Sequence, residues 1–97
     1  MKSLDRDVER RTAELGSHLL AWRKVLNLTA EEVAVRADIS RGTLRKLENG
    51  DGSASLEAAL RVARALGIID TLVDSLDPLR TELGRMRAGL INRQRVR

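Results

Sequence analysis

Two signals for the start of a helix, only eleven residues apart, constrain this chain more than any other feature. Thr29 followed by Glu32 forms a capping box, in which the hydroxyl and the carboxylate each bind a free backbone amide. Ser40 can cap a second helix through its hydroxyl. Because so few residues separate the two caps, we predict a pair of short helices, Ala30–Ala37 and Arg41–Glu48, joined by a tight turn.

The second helix of this pair is predicted to have an apolar side and a cationic side. Leu44 and Leu47 are its inward positions, and the outward positions are Arg41, Thr43, Arg45 and Lys46. Two helices joined by such a turn cross at roughly 90–120°. A duplex major groove, about 12 Å wide, admits one helix. The cationic side is therefore suited to meeting base edges and phosphates.

Apolar residues recur at helical spacing before and after the pair, and the chain is rich in Leu and Ala but lacks Phe and Tyr. We therefore predict an all-α fold of five helices. A first helix ends at Val25 or Leu26, a fourth begins at Ser55 and stops at Gly67, and a short fifth is capped by Asp70. The first and fourth helices are expected to face the core with Leu15, Leu19, Trp22, Leu26, Leu56, Ala59, Leu60, Ala63 and Leu66.

The chain divides into three segments, and its charge is concentrated in the last one. Residues 1–14 are expected to form an N-terminal extension, helical or frayed, residues 15–77 the folded domain, and residues 78–97 a basic tail. From Leu79 to Arg97 six arginines stand against Glu82, whereas the preceding residues are nearly balanced. Such a tail suits a polyanion or an acidic protein surface, or it is a solvated segment that aids solubility.

Several classes of protein are disfavoured by what the chain lacks. It has no Cys for a disulfide framework or a thiolate zinc site, and His18 has no second His to complete a metal or nucleophilic site. We therefore expect neither an enzyme nor a cofactor-binding or metal-binding protein. The start of the chain is too charged for a signal peptide, and no apolar run approaches the roughly 18 residues of a membrane span. A cytoplasmic, nucleoid-associated location is expected.

The stretch LGSHLLAWRKVLNLTAEEVAVRADISRGTLRKLENG, followed by SLEAALRVARALGI, resembles the lambda-repressor-like (xenobiotic-response-element type) helix-turn-helix regulators. The resemblance covers Leu15 to about Leu76. It implies five packed helices, with the third as the recognition helix and a dimer as the form that binds double-stranded DNA. A surface on and before the fifth helix offers more apolar area than one small core needs, and we expect it to form the dimer contact with Ile68, Ile69, Leu72, Val73 and Leu76.

The resemblance also implies roles for individual residues. The positions at which such regulators read bases are held here by Arg41, Gly42, Thr43, Arg45 and Lys46, although an ordinary solvated basic face is the alternative. Phosphate contacts are implied for Thr29, Ser40, Asn49 and Arg23, although the first three also serve as caps or turn residues. Arg23 and Glu48 resemble the family's ion pair between the first helix and the end of the third.

A second resemblance lies near the C-terminus. The string DPLRTELGRMRAGL with a closing RVR is similar to regulators encoded beside HipA-type kinase toxins, in which the small partner is an antitoxin and autorepressor. The best-known member of that group ends its fold in a strand, so its dimer architecture is not carried over. The resemblances imply a dimeric transcriptional repressor on an inverted-repeat operator, which would be the autoregulating antitoxin of a toxin-antitoxin operon. The alternative is a protein-interaction module that neutralises a HipA-type kinase toxin, with DNA binding secondary.

Overall fold

The structure is a computed structural model that describes residues 5–91, and within that range it is helical with no strand. The helices are α1 (Arg6–Val25), α2 (Ala30–Ala37), α3 (Arg41–Glu48), α4 (Leu56–Ala65), α5 (Ile69–Asp74) and α6 (Glu82–Met86), with a 3₁₀ turn at Pro78–Arg80. The all-α prediction is confirmed. The predicted count of five helices is not: two further helical segments follow α5, because Asp77 caps the 3₁₀ turn and Thr81 caps α6. The ends of the expected N-terminal extension and basic tail, residues 1–4 and 92–97, lie outside the described range.

The two central helices have the bounds that their caps predicted. Thr29 Oγ1 accepts from the Glu32 amide at 3.0 Å, and Glu32 Oε1 accepts from the Thr29 amide at 2.8 Å, so the capping box is confirmed. The hydrogen bond that the Thr29 amide donates to the Glu32 carboxylate lowers the pKa of Glu32. Ser40 caps α3 and Ser55 caps α4, as expected. Asp70 does not cap α5, which begins after Ile68 without a side-chain cap.

Helix α1 runs without a break from Arg6 to Val25, so most of the N-terminal extension joins the first helix. Gly16 lies within it and is buried where α1 crosses the end of α3, and a methyl group on its Cα would overlap the Leu47 carbonyl. Gly50, at a φ of +76°, packs against Ala13 on the same side of α1. Because these two positions have no side chain, α3 can pack closely on α1. No helix between residues 5 and 91 has the length and apolar character needed to cross a membrane.

The core lies mainly between α2, α3 and α4. Val33, Ala37, Leu44 and Ala63 are fully covered, with Val62 almost so. The other buried apolar residues are Leu19, Ala34, Leu47, Ala58 and Leu66. The buried side of α4 is therefore rotated from the predicted stripe, since it includes Ala58 and Val62.

Four residues expected in the core are exposed instead of buried. Leu15, Trp22 and Leu26 were predicted to pack inward, but on α1 only Leu19 of that stripe is buried. Leu56, expected at the start of the α4 stripe, is 76% exposed. The reason is that α1 packs on α3 along one side, while the side that carries Leu15 and Trp22 faces an open groove.

This groove, which we call the α1–α4–α5 groove, has a volume of about 780 Å³. Its walls are almost entirely apolar, and Asp74 and Asp77 also line it. The large apolar residues that line it are Leu15, Leu19, Trp22, Leu56, Leu60, Ile68, Leu72, Val73 and Leu76. A chain of this size thus leaves a contiguous apolar surface uncovered, which marks an interaction site more often than a solvated face.

Candidate nucleic-acid interface

The turn between α2 and α3 is tight because its backbone is held by α2. Asp38 adopts a left-handed conformation with a φ of 58°, and the Ile39 amide donates to the Ala34 carbonyl at 3.1 Å. Ala34 is buried and small, so it leaves room for close packing of the two helices. Leu44 and Leu47 then fix the inward side of α3 in the core. These contacts determine which side of α3 faces out.

We use the name α3 face for the residues predicted to read bases: Arg41, Gly42, Thr43, Arg45 and Lys46. The structure places all five on one helix, with Thr43 half-buried and the other four exposed. The two fixed leucines hold the helix, whereas the long cationic side chains extend into solvent. An α-helix with its side chains is about 10–12 Å across, close to the width of a duplex major groove.

Arg41 differs from the other two cations of the α3 face. Its Nη1 donates to Glu31 Oε1 at 3.0 Å, which forms an ion pair between α2 and α3. Both side chains of this pair are exposed. Among the ion pairs of residues 5–91, neither Arg45 nor Lys46 takes part. Sequence reasoning missed Glu31, because the ten-residue spacing of this pair gives no periodic signal. An exposed pair contributes little stability, so Arg41 can exchange Glu31 for another anion at low cost.

The residues predicted to bind phosphate lie at helix ends. Thr29 and Ser40 precede the first turns of α2 and α3, and Asn49 directly follows α3. Thr29 and Ser40 are both engaged as caps, and Ser40 Oγ also donates to Thr43 Oγ1 at 2.9 Å. The capping role and a phosphate contact are compatible, because the first amides of each helix have no partner within the helix.

Arg23 and Glu48 are brought together although 25 residues separate them. Arg23 Nε donates to Glu48 Oε2 at 2.7 Å and Nη2 to Oε1 at 3.2 Å, while Nη1 donates to the Leu28 carbonyl at 3.2 Å. The side chains are only 15% and 10% exposed. The hydrogen bonds to Glu48 raise the pKa of Arg23. This bidentate pair joins α1, the turn before α2 and the end of α3. It therefore helps to hold α3, and with it the α3 face, in position.

The residues expected at the dimer contact lie on more than one surface. Ile68, Leu72, Val73 and Leu76 line the α1–α4–α5 groove, and Val73 and Leu76 are strongly exposed. Ile69 points elsewhere, beside Glu57 and Arg61. Four of the five therefore belong to one apolar surface, to which α1 and α4 contribute as well.

The sequence of the chain matches the model of the helix-turn-helix family over residues 19–71, which is more than half of the chain. An uncharacterized HTH-type transcriptional regulator of Methanothermobacter thermautotrophicus is 53% identical to it over 45 residues, which cover 46% of this chain and 65% of that protein. The match thus spans less than two thirds of the length of this relative. No solved structure matches. The chain therefore belongs to the helix-turn-helix family, with a lambda-repressor-like domain of the kind found in transcriptional regulators.

Proposed function

We propose that the protein is a sequence-specific repressor of transcription that binds double-stranded DNA as a two-fold dimer on an inverted-repeat operator. The observation that carries this proposal is the α3 face, a cationic surface on a helix whose other side is fixed in the core. Membership of the helix-turn-helix family supports it. α3 enters the major groove, where each base pair presents a distinct pattern of donors and acceptors.

Arg45 and Lys46 read bases or hold nearby phosphates. A guanidinium can bind O6 and N7 of guanine in a bidentate manner, which is worth about 1–3 kcal/mol of discrimination. Arg41 joins them once the duplex displaces it from Glu31.

Gly42 supports a close approach of backbone and duplex. A Cβ at this position would meet only Ser40 Oγ, at 3.8 Å, so packing does not require glycine there. Glycine is nevertheless a weaker helix former than alanine. A side chain here would stand between α3 and the floor of the major groove. Glycine at this position therefore serves DNA binding rather than folding.

Backbone amides at the starts of α2 and α3 hold phosphates and fix the register of the protein on the duplex. Thr29 and Ser40 orient these two helix ends, and Asn49 adds a polar side chain after α3. Arg23 is turned toward Glu48 and Leu28, so we assign it first to support of the fold and only then to a phosphate. Phosphate contacts of this kind position the protein but carry no sequence information.

One domain of this size contacts few base pairs, so the repressor works as a dimer whose recognition helices lie one helical turn, about 34 Å, apart. Selection of duplexes from a random library by the purified protein tests this directly. We expect the recovered sequences to share an inverted repeat with half-sites centred about 10 bp apart. Recovery of no common sequence at physiological salt would contradict the proposal.

A second candidate function is neutralisation of a HipA-type kinase toxin, with the chain as antitoxin and autorepressor. The segment after α5 favours it, because exposed leucines and arginines there offer a protein partner both apolar contacts and cations. Co-elution of the purified protein with the kinase-like product of a neighbouring gene would support this function, and separate elution would dismiss it.

A further inference from the structure

Arg41 occupies a position that the helix itself does not favour for a cation. It is the first residue of α3, where the free backbone amides make the helix end positive, and the first turn of α3 contains no acidic residue. Its side chain is 54% exposed. The presence of a cation at this position is therefore better explained by an acceptor outside α3 than by the stability of the helix.

Within the chain that acceptor is Glu31, at the start of α2, whose Oε1 accepts from Arg41 Nη1 at 3.0 Å. The capping box of α2 is completed by the neighbouring Glu32, so the carboxylate of Glu31 takes no part in capping. A negative charge at the start of α2 is favourable for that helix, but an exposed ion pair with α3 adds little stability. The contact between the two helices is therefore not explained by folding alone.

The tips of these two side chains keep hydrogen-bonding groups available for a ligand. Among the hydrogen bonds of residues 5–91, the side chain of Arg41 uses only Nη1 and that of Glu31 uses only Oε1. Arg41 Nε and Nη2, which form one edge of the guanidinium, remain available as donors, and Glu31 Oε2 remains available as an acceptor. Both side chains are more than half exposed. The arrangement therefore suits a ligand that presents a pair of acceptors next to a donor.

A G·C base pair presents these groups in the major groove. Guanine offers the acceptors O6 and N7, and its paired cytosine offers the N4 amino group as a donor. O6 and N4 are hydrogen-bonded to each other, so they lie about 2.9 Å apart. This is close to the 3.0 Å between Arg41 Nη1 and Glu31 Oε1. An A·T pair has no base with two acceptors for the guanidinium.

A phosphate does not satisfy both side chains in the same way. When a phosphate takes Arg41, the carboxylate of Glu31 loses its partner and lies near a second anion, which repels it. The gain of one ion pair is then offset by the loss of another. A G·C pair avoids this cost, because cytosine N4 donates to Glu31 when guanine takes Arg41. Glu31 therefore disfavours contacts of Arg41 with phosphates but not with this base pair.

We propose that Glu31 is a specificity-determining residue, which reads one G·C base pair together with Arg41. Arg41 donates to O6 and N7 of the guanine, and Glu31 accepts from N4 of the cytosine. On DNA without a G·C pair at this position, Glu31 keeps Arg41 from the phosphates and lowers the affinity. The inference rests on the proposed repressor function and adds to it a base-reading residue that lies outside α3.

The salt dependence of binding to a duplex of unrelated sequence tests the effect of Glu31 on phosphate contacts. In the Glu31→Gln variant Arg41 is free to contact a phosphate, so the log-log slope should steepen by about 0.9 and the affinity should rise at least about 3-fold. The Glu31→Gln/Arg41→Ala variant should have the wild-type slope. The control variant is Glu14→Gln, which breaks an exposed pair with Arg11, also of 3.0 Å, on α1 and should leave the slope unchanged.

Fluorescence anisotropy at several salt concentrations measures these slopes, and circular dichroism verifies that each variant is folded. A folded Glu31→Gln variant with the wild-type slope would overturn the proposal. A steeper slope that persists in the Glu31→Gln/Arg41→Ala variant would also overturn it, because the added phosphate contact would then not come from Arg41.

The duplex selected by the wild type tests the reading of the base pair. Replacing one G·C pair of each half-site with A·T should lower the affinity of the wild type at least about 10-fold, and the Arg41→Ala variant should be indifferent to the same replacement. In the Glu31→Gln variant the amide oxygen still accepts from cytosine, so affinity for the selected duplex should change little. Its affinity relative to unrelated DNA should therefore fall at least about 3-fold.

These results separate the role of Glu31 from the proposed repressor function. A wild type that selects no sequence would end the repressor proposal and this inference with it. A wild type that selects an inverted repeat, while Glu31→Gln keeps the same ratio of selected to unrelated affinity, would overturn the role of Glu31 alone.

Discussion

Replacing Arg45 and Lys46 together with alanine should abolish sequence-specific binding while the protein stays folded. Both side chains are exposed on α3 and outside every ion pair of the described residues, so their removal costs the fold little. We expect the affinity for a selected duplex to fall at least about 100-fold, because a base contact is worth about 1–3 kcal/mol and phosphate contacts are lost with it. The dependence of affinity on salt should also flatten, by about 0.9 in the log-log slope for each lost phosphate contact.

The matched control is Arg6→Ala/Arg64→Ala, which removes the same two charges from exposed positions on α1 and α4. Fluorescence anisotropy at one fixed salt concentration compares the variants, and circular dichroism verifies their folding. The control should keep the affinity within a few-fold of the wild type, because only long-range attraction is reduced. A folded Arg45→Ala/Lys46→Ala variant that binds like the wild type would exclude the α3 face as the DNA-binding surface.

Removing one partner of the Arg23–Glu48 pair should destabilise the whole domain. Glu48→Ala leaves the partly buried Arg23 guanidinium without its carboxylate, and we expect this loss to cost about 1–3 kcal/mol. Urea unfolding followed by circular dichroism measures this free energy. The pair of apolar replacements Arg23→Met/Glu48→Leu should be much closer to the wild type than either single change, because no unpaired charge remains buried.

Glu31→Ala provides the comparison for an exposed pair. It breaks the contact with Arg41, in which both side chains are more than half exposed, and should change the free energy of unfolding by at most about 1 kcal/mol. If Glu48→Ala proved as mild as Glu31→Ala, the Arg23–Glu48 pair would not be the support of the α3 face that its geometry suggests.

The parts of the fold that the sequence predicted best are those set by local chemistry. The bounds of α2 and α3 follow from Thr29, Glu32 and Ser40, whose hydrogen bonds reach only three residues along the chain. The cationic character of the α3 face also follows from spacing, because Leu44 and Leu47 determine its opposite side.

The parts that the sequence predicted wrongly depend on what packs against a helix. Periodicity shows that Leu15, Leu19, Trp22 and Leu26 share one side of α1, but it does not show that a neighbouring helix covers only Leu19. The same limit applies to Leu56 on α4. Helix α6 was not among the five predicted helices, because the contact of Gly84 with Pro78 is a matter of tertiary structure that a glycine in the sequence does not reveal.

The central claim is that the outward side of α3 enters duplex DNA, and titration of the isotope-labelled protein with a selected duplex tests it most directly. Nuclear magnetic resonance then reports which backbone amides change environment. The account predicts the largest shifts from Arg41 to Lys46 and at the start of α2, with the amides of α1 near Val8 unchanged. Shifts confined to the α1–α4–α5 groove or to residues 78–91, with α3 undisturbed, would contradict it.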